Sequence, residues 1–194
     1  MTVSAPPEQQ LDPRVVRTRR LLEQAFADVL REKGFQAATV QDITSRAGVN
    51  RATFYAHFAD KYALLDHTIT QGFRAEIDRR MLNACHYTPE NLHALIVAVC
   101  EFIRSSRSRC KTPQPQFESL VETQVKAALH ELLLKWLEQV DTVVPPQTAA
   151  TAGSWAIYGL AAQWGRGSRS KSADEFATEV LPVAAANFGL AQVA

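Results

Sequence analysis

From Thr39 to Phe58 the chain carries the apolar period of a helix for barely two turns, breaks at Gly48-Val49, and resumes it from Asn50. Two short helices joined by a turn that contains glycine outline a helix-turn-helix. Thr39 suits the N-cap of the first, Asp42 lies in its acidic first turn, and Val40, Ile43 and Ala47 form its apolar side. Gly48 can take the positive φ that a sharp turn needs, and Ala47 is small enough for the two helices to approach closely. Val49, Phe54 and Phe58 are expected to anchor the second helix on Ile43 and on Leu22 and Phe26 of a preceding helix. Arg51, Ala52, Tyr55 and Ala56 then face outward.

The preceding helix is read from Leu22, Ala25, Phe26, Val29 and Leu30, spaced by three and four residues, and it stops near Lys33-Gly34. Asp60 is the expected cap of a helix bearing Leu64, Leu65, Ile69, Phe73 and Ile77, which carries the chain out of the small N-terminal unit. Beyond it Leu92 to Ile103 mark one helix and Phe117 to Val140 a longer one, set off by Pro113 with Pro115 and by Pro145-Pro146. Two more follow, over about 148–165 and 173–189, the second opening on the capping box Ser172-Ala-Asp-Glu175. Pro182 is expected to bend that last helix. No β alternation and no repeat is visible, so the fold class is all-α.

The apolar residues come in short groups broken by charges, well below the run of about 20 that a membrane span requires. The polar, proline-bearing stretch Met1 to Leu11 does not read as a secretory signal, and a cytoplasmic protein is expected. Cys85, Cys100 and Cys110 are odd in number without a CxxC pair, as in a reduced compartment. Cys85-His86, His93 and Cys100 do not form a metal-ligand set, and no metal or cofactor is expected. No nucleophile with a paired base, no phosphate loop and no catalytic acid pair is found, which argues against an enzyme.

A net charge of +1 says little by itself, but Arg14, Arg17, Arg19 and Arg20 crowd the start of the first helix, and Arg46, Arg51 and Lys61 lie in or beside the turn motif. Arg51 and Tyr55 are four residues apart and share a face in the first turns of the second short helix, the turns that enter the major groove in helix-turn-helix proteins. An arginine there can pair with O6 and N7 of guanine. An amphipathic three-helix unit with no nucleic-acid partner would show a similar solvent face, so periodicity leaves both readings open.

The residues Ala47-Gly48-Val49, Thr53-Phe54-Tyr55, His57-Phe58, Lys61 and Leu64-Leu65 stand at fixed spacings, and over residues 14 to 70 the chain resembles the TetR family of transcriptional regulators. The resemblance implies phosphate contacts from Thr39, Thr53, Tyr55, His57 and Lys61, and base contacts from Gln41, Arg51, Ala52 and Tyr55. Ala56 is smaller than the residue often found there. The resemblance further implies a tail over 1–13, a DNA-binding domain over 14–60, a connecting helix over 61–84, and a regulatory and dimerisation domain over 85–194. The function it implies is that of a repressor that binds a palindromic double-stranded operator as a homodimer and is released by a small-molecule effector. In such dimers the last two long helices pair with those of the partner, and the helical spacing of Gly153, Ala156 and Gly159, with Phe176, Val180 and Ala184, suits that role. Phe102, Phe117, Trp136, Trp155, Tyr158 and Trp164 are candidates either for a pocket lining or for plain core. An adaptor for another protein is the competing reading, and it would leave Arg51, Tyr55, His57 and Lys61 without a shared purpose.

Overall fold

The computed structural model describes residues 12–109, 115–167 and 171–189; the expected N-terminal tail, Cys110 and Pro113 lie outside them, apart from Asp12 and Pro13. The described residues form eight α-helices: α1 Pro13–Ala37, α2 Val40–Ala47, α3 Arg51–His57, α4 Lys61–Arg79, α5 Pro89–Arg109, α6 Pro115–Leu137, α7 Pro146–Arg166 and α8 Ala173–Ala186. They segregate into two compact units that part between Leu64 and Leu65, within α4.

In the first unit α1 starts at Pro13, whose fixed φ and missing N–H suit the first helical position, behind Asp12, which accepts from Arg14 N at 2.8 Å. Regular geometry is interrupted at Gly34 (φ 75°), and one more turn ends at Ala37. That turn buries Phe35, whose ring meets Phe26 and Tyr62 edge-on. Leu22, Phe26, Ile43, Phe54, Phe58 and Leu64 complete the core, while Val49 is only half-buried. Gly48 sits at φ 67° with nothing within 4 Å of where a Cβ would stand, so the backbone conformation, not space, calls for glycine.

In the second unit α5 packs on α7 and α8, and α6 on α7. Leu92, Leu95, Ile96, Val99, Leu129, Leu133, Trp136 and Ile157 are fully or almost fully buried. Between α4 and α6 the amide of Gln124 donates to Asp66 and accepts from Thr70 Oγ1 at 3.3 Å. The long helix stops at Leu137, short of the expected Val140, and Pro146 begins α7 as Pro115 begins α6. α8 runs past Pro182 to Ala186. Among the described residues no helix is long and apolar enough to cross a membrane.

The small-residue face expected to meet a partner is largely internal. Gly153 is buried beneath the Phe188 ring, which a Cβ there would overlap, and Val180 and Ala184 are buried in the same chain. All three belong to the core of the single protomer. Ala156 and Phe176 are half-buried, the latter with its ring 6.2 Å from that of Trp164. Gly159 is exposed, with open space around it. The solvent side of α7 carries Thr151, Ala152, Trp155 and Gly159, and Val183 is exposed on α8. Small residues at helical period fit either side of such a helix, so spacing alone does not choose between them.

Candidate nucleic-acid interface

The start of α3 is fixed by Asn50, whose Oδ1 accepts from Thr53 N at 2.7 Å and from Thr53 Oγ1 at 3.0 Å. Burial of Phe54 at 0% exposure and of Phe58 settles which side of the helix turns inward. Arg51, Ala52, Tyr55 and Ala56 are consequently exposed, as the spacing predicts. An Arg51 Nη2 donates to the Tyr55 hydroxyl across one turn, at 3.4 Å, so the guanidinium and phenol stand side by side. Gln41 is exposed in the first turn of α2, with Nε2 donating to Ser45 Oγ at 3.0 Å. Each of these contacts is long or local enough to be exchanged for a base edge at small cost.

The residues expected at phosphates are differently placed. Thr39 forms a full capping box: its Oγ1 accepts from Asp42 N and donates to Asp42 Oδ2 at 2.7 Å, and its own N–H also reaches that carboxylate. Lys33 Nζ adds a 2.6 Å contact to Asp42 Oδ1, and these bonds, the lysine's first, hold the Asp42 pKa down to about 2. The Thr39 hydroxyl proton is thus committed to a carboxylate. Thr53 likewise donates its proton to Asn50. His57 is half-buried, and burial followed by the charge of Arg19 lowers its pKa, which favours a neutral imidazole.

Lys61 departs furthest from expectation. Its Nζ donates to the main-chain oxygens of Phe35 (3.1 Å), Gln36 (3.1 Å) and Ala38 (2.9 Å) and lies 4.9 Å from the Phe35 ring centroid. An ammonium has three N–H donors, and all three are used. The physical reason is that α1 ends without a basic residue in its last turn, and its final carbonyls need donors. Burial lowers the Lys61 pKa. Lys61 thus caps α1, and a phosphate would have to compete with these three carbonyls for its donors.

Cations were the other signal. Arg31, Lys33 and Arg46 are matched to Asp28, Asp42 and Glu32, the last pair through two bonds of 2.5 and 2.7 Å that tie α2 to α1. Arg14, Arg17, Arg20 and Arg51 are exposed and enter no ion pair among the described residues. Sequence reasoning missed the ties from Lys33 and Glu32 and the charge of Arg19 beside His57, since nothing in the helical period shows which charges on different helices will meet.

Residues 21–68 match the family model described as "Bacterial regulatory proteins, tetR family". The HTH-type transcriptional regulator YxbF of Bacillus subtilis is 51% identical over 71 residues, covering 36% of this chain and 18% of that protein, so the match spans less than a fifth of that relative. The HTH-type transcriptional repressor KstR2 of Rhodococcus jostii is 28% identical over 139 residues, 70% of this chain and 67% of that one. Among solved structures, a TetR-family regulator of Streptomyces coelicolor superposes with a TM-score of 0.63 at 16% identity, covering 94% of this chain and 99% of the other, a likeness of fold.

Proposed function

Because the chain belongs to the TetR family of transcriptional regulators, we propose that it is a cytoplasmic repressor that binds a palindromic operator as a homodimer and is released by a small-molecule effector. The observation that carries the reading is the exposed Arg51–Tyr55 pair on α3, held outward by the buried Phe54. In the major groove Arg51 would take O6 and N7 of guanine, with Gln41, Ala52 and Tyr55 beside it. Thr39 and Thr53 would turn their hydroxyl protons from Asp42 and Asn50 to phosphate oxygens at the helix starts, His57 would offer a neutral ring N–H, and Arg14, Arg17 and Arg20 the charge that Lys61 spends on α1. The repressor sense is supported by the name of the Rhodococcus relative.

A single α3 reads few base pairs, and two related by a two-fold axis read a palindrome. The partner contact is assigned to the exposed side of α7 and α8, through Trp155, Gly159 and Val183 with the half-buried Ala156 and Phe176. An effector that favours a different separation of the two recognition helices would weaken DNA binding by a coupling of about 1 to 3 kcal/mol. Fluorescence anisotropy with labelled genomic fragments over a range of salt tests the proposal. Selective, salt-sensitive binding is expected. Equal affinity for all fragments at every salt concentration would overturn it.

A further inference from the structure

The second unit contains two recesses that share Arg107. The larger, about 1080 Å³, opens between α4, α5 and the junction of α7 with α8. The smaller, about 270 Å³, lies between α5, α6 and α7, with Ile103, Phe117, Val121 and Ala162 as its apolar lining.

Their charges are sorted. The carboxylates of the larger recess, Glu76 and Glu101, are already matched by Arg79 and Arg80: both guanidinium groups bond Glu76, at 2.7 and 3.0 Å, and Arg80 also bonds Glu101. Lys171 is held by Glu179. Among the described residues Arg104 has no carboxylate partner, and its guanidinium lies 5.5 Å from the Trp164 ring centroid. Among the described residues Arg107 reaches only Glu118, at 3.8 Å, beyond hydrogen-bond distance. The larger recess therefore offers two guanidinium groups whose donors are unspent. The smaller recess has Glu118 and Glu122 on its rim, which disfavour an anion there. On its wall Tyr158, whose pKa burial and then these two glutamates push up to about 12, carries a neutral hydroxyl with no hydrogen bond among the described residues.

We propose that the two recesses form one site for an organic anion, its carboxylate or phosphate head on Arg104 and Arg107 and its apolar body against Ile103, Phe117 and Val121. The inference rests on the effector reading above and supplies the ligand's chemical class. The shared Arg107 is the point at which head and body join, and Tyr158 offers a donor to a polar atom along the body.

Isothermal titration of the full chain with four probes of equal chain length tests this: decanoate, decyl phosphate, decanol and decyltrimethylammonium, each below its aggregation concentration. One or both anions should bind roughly ten- to a hundredfold tighter than decanol, as charge-assisted hydrogen bonds imply, and the cation most weakly. The two anions distinguish the carboxylate from the phosphate head. Arg107→Gln should abolish the preference while decanol affinity remains, which also shows that the variant is folded. Decanol binding as tightly as both anions, a preference for the cation, or no binding of either anion would overturn the proposal. Release of DNA is read separately by anisotropy. Charge-selective binding without DNA release upholds this site and defeats the effector reading, whereas release with no charge preference upholds that reading and defeats this site.

Discussion

The ammonium of Lys61 lies 2.9 Å from the main-chain oxygen of Ala38, and with its bonds to Phe35 and Gln36 it closes the end of α1 from the first residue of α4. A residue that a motif assigns to DNA thus acts inside the protein. Lys61→Met, which keeps the stem but removes the donors, should cost about 2 kcal/mol of stability in the first unit. The salt dependence of DNA binding should not change, because no counterion-releasing contact is lost. Urea unfolding and a salt titration check the two halves. A salt slope reduced by about 1 would return Lys61 to a phosphate.

His57 links stability to pH. Burial, then Arg19, holds its folded-state pKa below the ordinary 6.5. As pH falls through 6.5 the unfolded chain takes up this proton before the folded one, so stability is lost on acidification and the loss levels off below the folded pKa. Above 6.5 the residue is neutral in both states and contributes no slope. Asp42, held down to about 2, loses its contribution only below its ordinary 3.8 and stays outside this window. Thermal unfolding at about pH 7.5 and about pH 5.5 should show wild type losing more stability than His57→Gln. Equal losses would remove His57 from the account.

How legible was this molecule in its sequence? The caps were readable, because Thr39, Asn50, Asp60 and Ser172 act on N–H groups within three residues of themselves. So was the outward face of α3, since burying Phe54 and Phe58 leaves Arg51 and Tyr55 nowhere else to point. What the local pattern does not carry is long-range or two-sided. Lys61 reaches back 23 to 26 residues to α1, and no local pattern announces which distant carbonyls lack a donor. Phe35 follows the glycine expected to end α1 and still enters the core. On α7 the small residues recur around most of the helix, so period could not decide between Gly153 and Gly159.

Arg51 separates base reading from general attraction. Arg51→Ala should weaken binding to the selected operator by about 1 to 3 kcal/mol and to random DNA very little. Arg17→Ala, removing an unpaired surface charge on α1, should weaken both about equally and make the salt dependence shallower. Helicity must be unchanged in each variant for the comparison to hold. If Arg51→Ala affects both DNAs alike, Arg51 holds a phosphate and the base-reading role assigned to it is wrong.

Gly153 and Gly159 lie six residues apart on α7 and make opposite predictions. A Cβ at Gly153 would collide with the ring of Phe188, which is fully buried and has no room to yield, so Gly153→Ala should destabilise the protomer by about 1 to 3 kcal/mol through overpacking. At Gly159 there is open space, and alanine should be neutral there or stabilise the helix by up to about 1 kcal/mol. Bulk is the sharper probe. Gly159→Trp should leave the protomer's helicity intact and shift a dimer toward monomer in sedimentation at micromolar concentration, if the exposed side of α7 meets the partner. A monomeric wild type would remove the dimer proposal altogether. A Gly159→Trp variant that remains fully dimeric would move the partner contact to a different surface.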